Sequence, residues 1–527
     1  MLKALACSRG MVTAPHHLAA QSGIAVLRDG GNAVEAMVAA AATIAVVYPH
    51  MNSIGGDGFW LISQPGKDPI GIDACGRAAG LATPDWYRAK GLPSIPTRGP
   101  LAANTVAGAV SGWKAALDVA GTRLPLARLL QDAQGYACEG APVTQSQVDY
   151  TTRFFDELEQ QPGFAATFLR EGAPPPARST QRFPALAATF EQLARQGLDD
   201  FYRGELARSL AAELTRLGSP LRADDLDKHH ASMVAPLAVK LSVGTAYNLP
   251  PPTQGLASLM ILAIFDRIRE DAQAESFAHV HGIVEATKQA FLVRNRHVCD
   301  PQVMRVAAGD FLRDDAIARC AGAIDAGRSR PWPEPAAKGD TVWMGAADGD
   351  GCMVSYIQSV YWEFGSGLVL GDTGVTWQNR GASFSLDPAS HVVLAPRRKP
   401  FHTLNPALAR LSDGREIVYG NMGGDGQPQS QAAVFSRYAM FGQDLQRAVS
   451  APRWLLGRTW GDMSVGLKLE RRFDPSLIAA LRHAGHEVEL VDSYSDLVGH
   501  AGALVRNPDG VITGATDPRS DGTVAGW

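Results

Sequence analysis

Apolar positions recur along this chain with two different periods. In Ala36–Tyr48, "AMVAAAATIAVVY", almost every position is apolar, and a Gly-Gly-Asn break with Asn32 as a capping residue precedes it. That pattern predicts a helix buried on all sides, too short to span a bilayer. "FPALAATFEQLARQG" and "LARSLAAELTRLG" repeat apolar residues at helical spacing and stop at glycine. "ESFAHVHGIVEATKQAFLVRNRHVCDP" predicts a long helix ending before Pro301. Residues 100–330 therefore read as mostly helical, with loops such as "REGAPPPARST" and "YNLPPPTQG" between the helices. From residue 341 the period changes to two. "TVWMGAADGDGCMVSYIQSVYWEFGSGLVL" alternates and turns at Asp-Gly-Asp-Gly, which predicts a hairpin. "GFWLIS", "PIGIDACG", "REIVYGNMGGDG" and "HEVELVDS" predict further strands, and "SQAAVFSRYAMFG" and "PSLIAALRHAG" predict helices. A Pro-rich run at 331–336 is the clearest linker.

Composition narrows the classes. The 527 residues suffice for two to four ordinary domains or one large α/β unit, and 46% hydrophobic with 19% charged residues is ordinary for a folded chain with a large core. A net charge of -4 gives no reason to expect nucleic acid or an acidic membrane as partner. The N-terminus, "MLKALACSRGMVTAPHH", lacks the apolar core of a secretory signal. Six cysteines are scattered singly with no CxxC, which favours reduced thiols and a cytoplasmic location.

Several chemistries find no motif. There is no GxxxxGK[ST], no GxSxG and no HExxH, and the Gly-rich "GGDGFW" is not followed by a GxGxxG helix start. His279 and His281 stand at i, i+2 on one predicted helix, so they point to different faces and make a poor metal pair; they read as surface and core histidines. No metal and no cofactor is expected. Thr341 remains. A hydroxyl is a weak nucleophile, but cleavage of the chain just before a threonine frees an α-amine that takes the hydroxyl proton. An α-amine titrates at about 7.7–8.0, so near neutral pH much of it accepts a proton. The arrangement needs a loosely built lead-in and a rigid strand beneath the threonine, and residues 331–350 supply both.

The order of motifs resembles the γ-glutamyltranspeptidase family of N-terminal-nucleophile hydrolases nearly end to end. The matching stretches are Gly10–Trp60 with "DGGNA" and "GGDGF", "PPPTQGLASLMILAIFD", "GDT…QSVYWEFGSG", "NMGGDGQPQ" and "TDPRSDGTVAG". The resemblance implies a four-layer αββα sandwich of the α/β (α+β) class with additional helices. It implies self-cleavage of the Asp340–Thr341 bond by an N→O acyl shift. The products would be a large subunit, 1–340, and a small one, 341–527, which stay together as one intertwined unit; a dimer of such heterodimers is left open. Thr341 falls on the nucleophile and Ser359 on a second hydroxyl beside it. Gly423 and Gly424 fall on the pair whose N–H groups face the oxyanion, a task that favours a residue without Cβ.

The departures bear on substrate. Cys75 stands where the family has the arginine for the glutamyl α-carboxylate, and Arg77 follows two residues later. Ser383 replaces the acidic partner of the α-amine, His402–Thr403 replace paired serines, Tyr361–Trp362 replace small polar residues, and Val342–Trp343 replace Thr-His. These changes remove one anion binder and one cation binder, so a buried α-amino acid zwitterion would be poorly paired. The expected substrate is a small amide with one carboxylate and no amine, such as oxamate. Arg77 by preference, or Arg380, would hold the carboxylate, with hydrogen bonds from Gln358, His402 and Thr403. The alternatives are a γ-glutamyl hydrolase or transferase using Arg77, a cephalosporin-type acylase, and a member that never cleaves.

Overall fold

A computed structural model describes residues 3–270, 272–332, 340–457 and 465–527. The expected linker run falls partly outside them. Two seven-stranded antiparallel sheets stack face to face. The first runs Thr523–Gly526, Gly10–Ala14, Asp340–Asp348, Met353–Tyr361, Asp57–Ser63, Ile70–Ala74, Ser232–Val234. The second runs Leu5–Cys7, Ile512–Thr516, Ala501–Arg506, Glu416–Asn421, Ala407–Leu411, Gly244–Asn248, Leu237–Leu241. Helices cover both outer faces, which gives the αββα layers with further helices attached.

Side-chain alternation explains the layers. Along the strand Asp340–Asp348, Val342, Met344 and Ala346 join the core under the helices, whereas Trp343 and Ala347 join the core between the sheets. Trp343 is wedged there because Gly345, Gly420 and Gly502 leave room; a Cβ at any of the three would meet its ring. Its indole N–H donates to Ser355 Oγ at 2.9 Å. The Ala-rich helix, Ala33–Val47, is buried at every residue, and Asn32 caps it by accepting from Val34 and Glu35 N–H while Glu35 returns a bond to Asn32 N–H.

The long helix predicted before Pro301 is Phe277–His297. Two readings need correction. Residues 100–330 are not helices and loops alone, because Leu237–Leu241 and Gly244–Asn248 form an edge hairpin of the second sheet. These strands are short and half-exposed, so their period is weak. His279 and His281 are both buried, not split between surface and core. They do point apart: His279 Nε2 meets Ser436 Oγ at 2.9 Å, and His281 Nδ1 meets His486 Nε2 at 2.9 Å.

Candidate active site

Thr341 sits at the start of its strand, at a register shift between Asp340 and Val342 in the ladder with Met353–Tyr361. By strand parity it shares the inter-sheet face with Trp343. It is buried, and Gln427 Nε2 lies 3.5 Å from its Oγ1. Ser359 is on the paired strand; its Oγ accepts the N–H of Tyr361 at 2.8 Å. Tyr361 itself has φ of 84°, the left-handed region that non-glycine residues rarely occupy.

Gly423 and Gly424 follow the strand Glu416–Asn421, with φ of 122° and 51°. Positive φ at both turns the chain sharply into the helix Gln427–Phe435. Among the described residues neither N–H has an acceptor. Gln254 ties this turn to the segment bearing His402 and Thr403, because its Nε2 donates to both Thr403 O (2.7 Å) and Gly424 O (2.8 Å). Arg294 locks the other side: it donates to Gln254 Oε1 at 2.8 Å and pairs with Asp425 at 2.9 Å.

Arg380 is fully buried. Its guanidinium lies 3.6 Å from the Tyr361 ring centroid, donates to Thr403 Oγ1 at 2.9 Å and reaches Phe401 O at 3.3 Å. Its Nε has no partner, and among the described residues no carboxylate pairs with it. Burial works against its charge. Ser383 Oγ donates to Phe401 O at 3.2 Å beside it.

Arg77 points elsewhere. It is about one-third exposed, donates to Arg397 O at 3.0 Å and lies 3.7 Å from Asp300. It lines a separate surface cavity with Lys228, His229 and Arg397. Gln358 also faces away, toward the helix layer. Its Nε2 donates to Asn52 Oδ1 at 2.8 Å, and its Oε1 accepts from Trp113 Nε1 at 3.0 Å and from Tyr356 OH. Both geometries weigh against the substrate contacts expected from sequence.

His402, expected at the substrate, has an unexpected partner: its Nε2 lies 3.0 Å from Asp57 Oδ2, a hydrogen bond. Asp57 Oδ1 accepts from Gly76 N–H (2.9 Å), Gly108 N–H (3.1 Å) and Gln378 Nε2 (3.1 Å). The "GGDG" motif exists for this packing. A Cβ on Gly56 would run into Ser359 O, and one on Gly76 into Val106 O, so only glycines let these backbones close around the carboxylate. Burial pushes Asp57 up to about 7, against the hydrogen bonds from Gly76 and Gln378. His402 is pushed well below its ordinary value by burial and by the Arg380 charge, so it is neutral. Cys75 lies within 4.8 Å of this pair, its thiol pushed well up by burial. A second close group is His281, Glu285 and His486. There Glu285 pairs with Lys288 at 2.6 Å, and His281 Nε2 meets Asp325 O at 2.8 Å.

Sequence reasoning missed Gln427 and Asp57. The signal for Gln427 was its place immediately after Gly-Gly-Asp-Gly; for Asp57 it was a lone acid between glycines at the head of an apolar strand.

The family model "Gamma-glutamyltranspeptidase" matches residues 19–527. The chain belongs to the γ-glutamyltranspeptidase family. Members are hydrolases of C–N bonds that cleave themselves into associated subunits and use the new N-terminal residue as nucleophile. Among curated relatives, the chain is 56% identical to the oxamate amidohydrolase proenzyme of Klebsiella pneumoniae over 99% of both chains. It is 38% identical to the glutathione hydrolase-like YwrD proenzyme of Bacillus subtilis over all of both chains. Among solved structures, a cephalosporin acylase from Bacillus halodurans superposes with a TM-score of 0.92 at 33% identity, covering 100% of this chain and 97% of that one. Among the described residues no helix is long and apolar enough to cross a membrane.

Proposed function

We propose that this chain cleaves itself before Thr341 and then hydrolyses a small amide carrying one carboxylate, oxamate in the first instance, to oxalate and ammonia. The observation that carries the substrate is Arg380, a buried guanidinium with no carboxylate of its own beside the strands that bear Thr341 and Ser359. A buried cation is costly unless paired, so a bound carboxylate completes the site. The 56% identity to an oxamate amidohydrolase proenzyme supports the same choice.

In self-cleavage the Thr341 hydroxyl attacks the Asp340 carbonyl carbon. The peptide nitrogen becomes the free amine as the acyl group passes to oxygen, and water hydrolyses the ester. In turnover the amine takes the Thr341 hydroxyl proton while Oγ1 attacks the amide carbon. The N–H groups of Gly423 and Gly424 hold the oxyanion. Collapse expels ammonia with that proton and leaves an ester on Thr341. Water then hydrolyses the ester and releases oxalate. Gln427 orients the hydroxyl. The six thiols, none of them in a disulfide, support a cytoplasmic location.

The likeness to a cephalosporin acylase favours a second reading, an acylase for larger amides. Tyr361, with the Arg380 guanidinium 3.6 Å over its ring, stands where the family has a small polar residue, which favours the small amide. The test is ammonia release from oxamate against nitroanilide release from γ-glutamyl-p-nitroanilide. Oxamate should be much the better substrate; the reverse order would overturn the reading of the pocket.

A further inference from the structure

We infer that the Asp57–His402 pair takes up one proton when a carboxylate binds Arg380, so that affinity for carboxylates falls as pH rises above neutrality. The inference rests on Arg380 being the carboxylate anchor. Asp57 is completely buried, and among the described residues the ionisable side chain within hydrogen-bond distance of it is His402. The guanidinium whose charge acts on it is that of Arg380, which no carboxylate pairs directly. In the empty site one negative and one positive charge thus balance at longer range.

The other ionisable groups around Asp57 do not change this count. Asp73 and Lys399 neutralise each other at 2.6 Å, and Asp425, whose charge also reaches Arg380, is paired with Arg294 at 2.9 Å. Cys75, Tyr202 and Tyr356 are pushed up by burial and stay protonated. A substrate carboxylate on Arg380 therefore sets two buried anions against one cation. Two carboxylates in such a site do not both ionise; one keeps a proton. The bond between Asp57 Oδ2 and His402 Nε2 gives that proton a place, shared by the pair as a unit. His402 Nδ1 accepts a long contact, 3.5 Å, from Leu404 N–H, so moving the ring proton to Nδ1 gives up that one weak hydrogen bond. Because burial already holds Asp57 near 7, uptake falls in the range where the enzyme is assayed. The proton comes from solvent, and no bond in the substrate changes.

The remaining titratable group is the Thr341 α-amine of the cleaved enzyme, which the test must separate. The probe is oxalate, whose charge is constant above pH 6, binding to the self-cleaved enzyme in calorimetry at pH 8 in phosphate and in Tris. The heat should differ between the buffers by about one proton's ionisation enthalpy, and the oxalate inhibition constant should weaken roughly tenfold per pH unit above neutrality. In Asp57→Asn both effects should vanish. If the heat in wild-type enzyme is independent of buffer, or if Asp57→Asn takes up the same proton, the inference is wrong; in the second case the amine is the source. Arg380→Met separates the premise: unchanged oxalate inhibition in that variant would remove Arg380 as anchor whatever the proton count.

Discussion

Two buried clusters of arginine set a standard for each other. Near the C-terminus, Arg519 meets Glu470 at 2.6 Å and Asp517 at 3.0 Å, Arg472 meets Glu470 at 3.2 Å, and Arg453 pairs with Asp517. Burial raises the Asp517 pKa, but the Arg453 and Arg519 charges overcome it and hold the acid at about 2. Every guanidinium there has an acid. Arg380 is as deeply buried and among the described residues has none, but a hydroxyl, a carbonyl and an aromatic face. The first cluster closes "TDPRSDG" onto the strands it follows and is finished within the chain. In the proposed function the second is finished by the substrate carboxylate. Burial of a charge thus distinguishes nothing by itself; the missing counter-charge does.

The sharpest separation of fold from function comes at the nucleophile. Thr341→Ala leaves both clusters intact but removes the attacking hydroxyl. It should stay a single 56.0 kDa chain without activity. Wild-type enzyme should give fragments of roughly 36 and 20 kDa, the smaller starting Thr-Val-Trp-Met on N-terminal sequencing. Any other N-terminus would move the nucleophile.

Breaking the paired cluster comes next. Arg453→Met strands part of the Asp517 charge and should cost about 3–5 kcal/mol of stability, read as a lower urea midpoint. The same change at Arg380 removes a charge that no carboxylate among the described residues pairs directly and that Asp57 balances only at longer range, so its urea midpoint should fall by much less. Equal loss of stability in both variants would erase the distinction between the clusters.

On activity the order reverses. A charge-assisted contact to a carboxylate contributes about 1.5–3 kcal/mol, so Arg380→Met should lower kcat/KM on oxamate by roughly 10–150-fold while self-cleavage survives. Arg77→Met, at a half-exposed residue facing another cavity, should change kcat/KM by no more than about twofold. A larger loss at Arg77 than at Arg380 would restore the expectation drawn from sequence.

That reversal shows where the sequence was legible. The hairpin carrying Thr341 and Ser359 and the buried Ala-rich helix could be read because period and turn residues are local properties, whereas the Gly-Gly pair came from the family resemblance. Arg77 and Arg380 could not be ranked, since which of two arginines turns inward depends on backbones that meet only in the fold. Gln358 was separable in principle: once Ser359 is assigned to the inter-sheet face, strand alternation sends Gln358 to the opposite one. Asp57 was quoted within a motif, but its role depends on Gly76, Gly108, Gln378 and His402, which lie 19 to 345 positions away.

The most direct test of the central claim compares oxamate with oxamide, which keeps the amide and lacks the carboxylate, in wild-type enzyme and Arg380→Met. Ammonia release should favour oxamate by roughly 10–150-fold in kcat/KM in wild type, and the preference should collapse in the variant. Equal use of the two amides by wild-type enzyme, or a preference that survives loss of Arg380, would contradict the account.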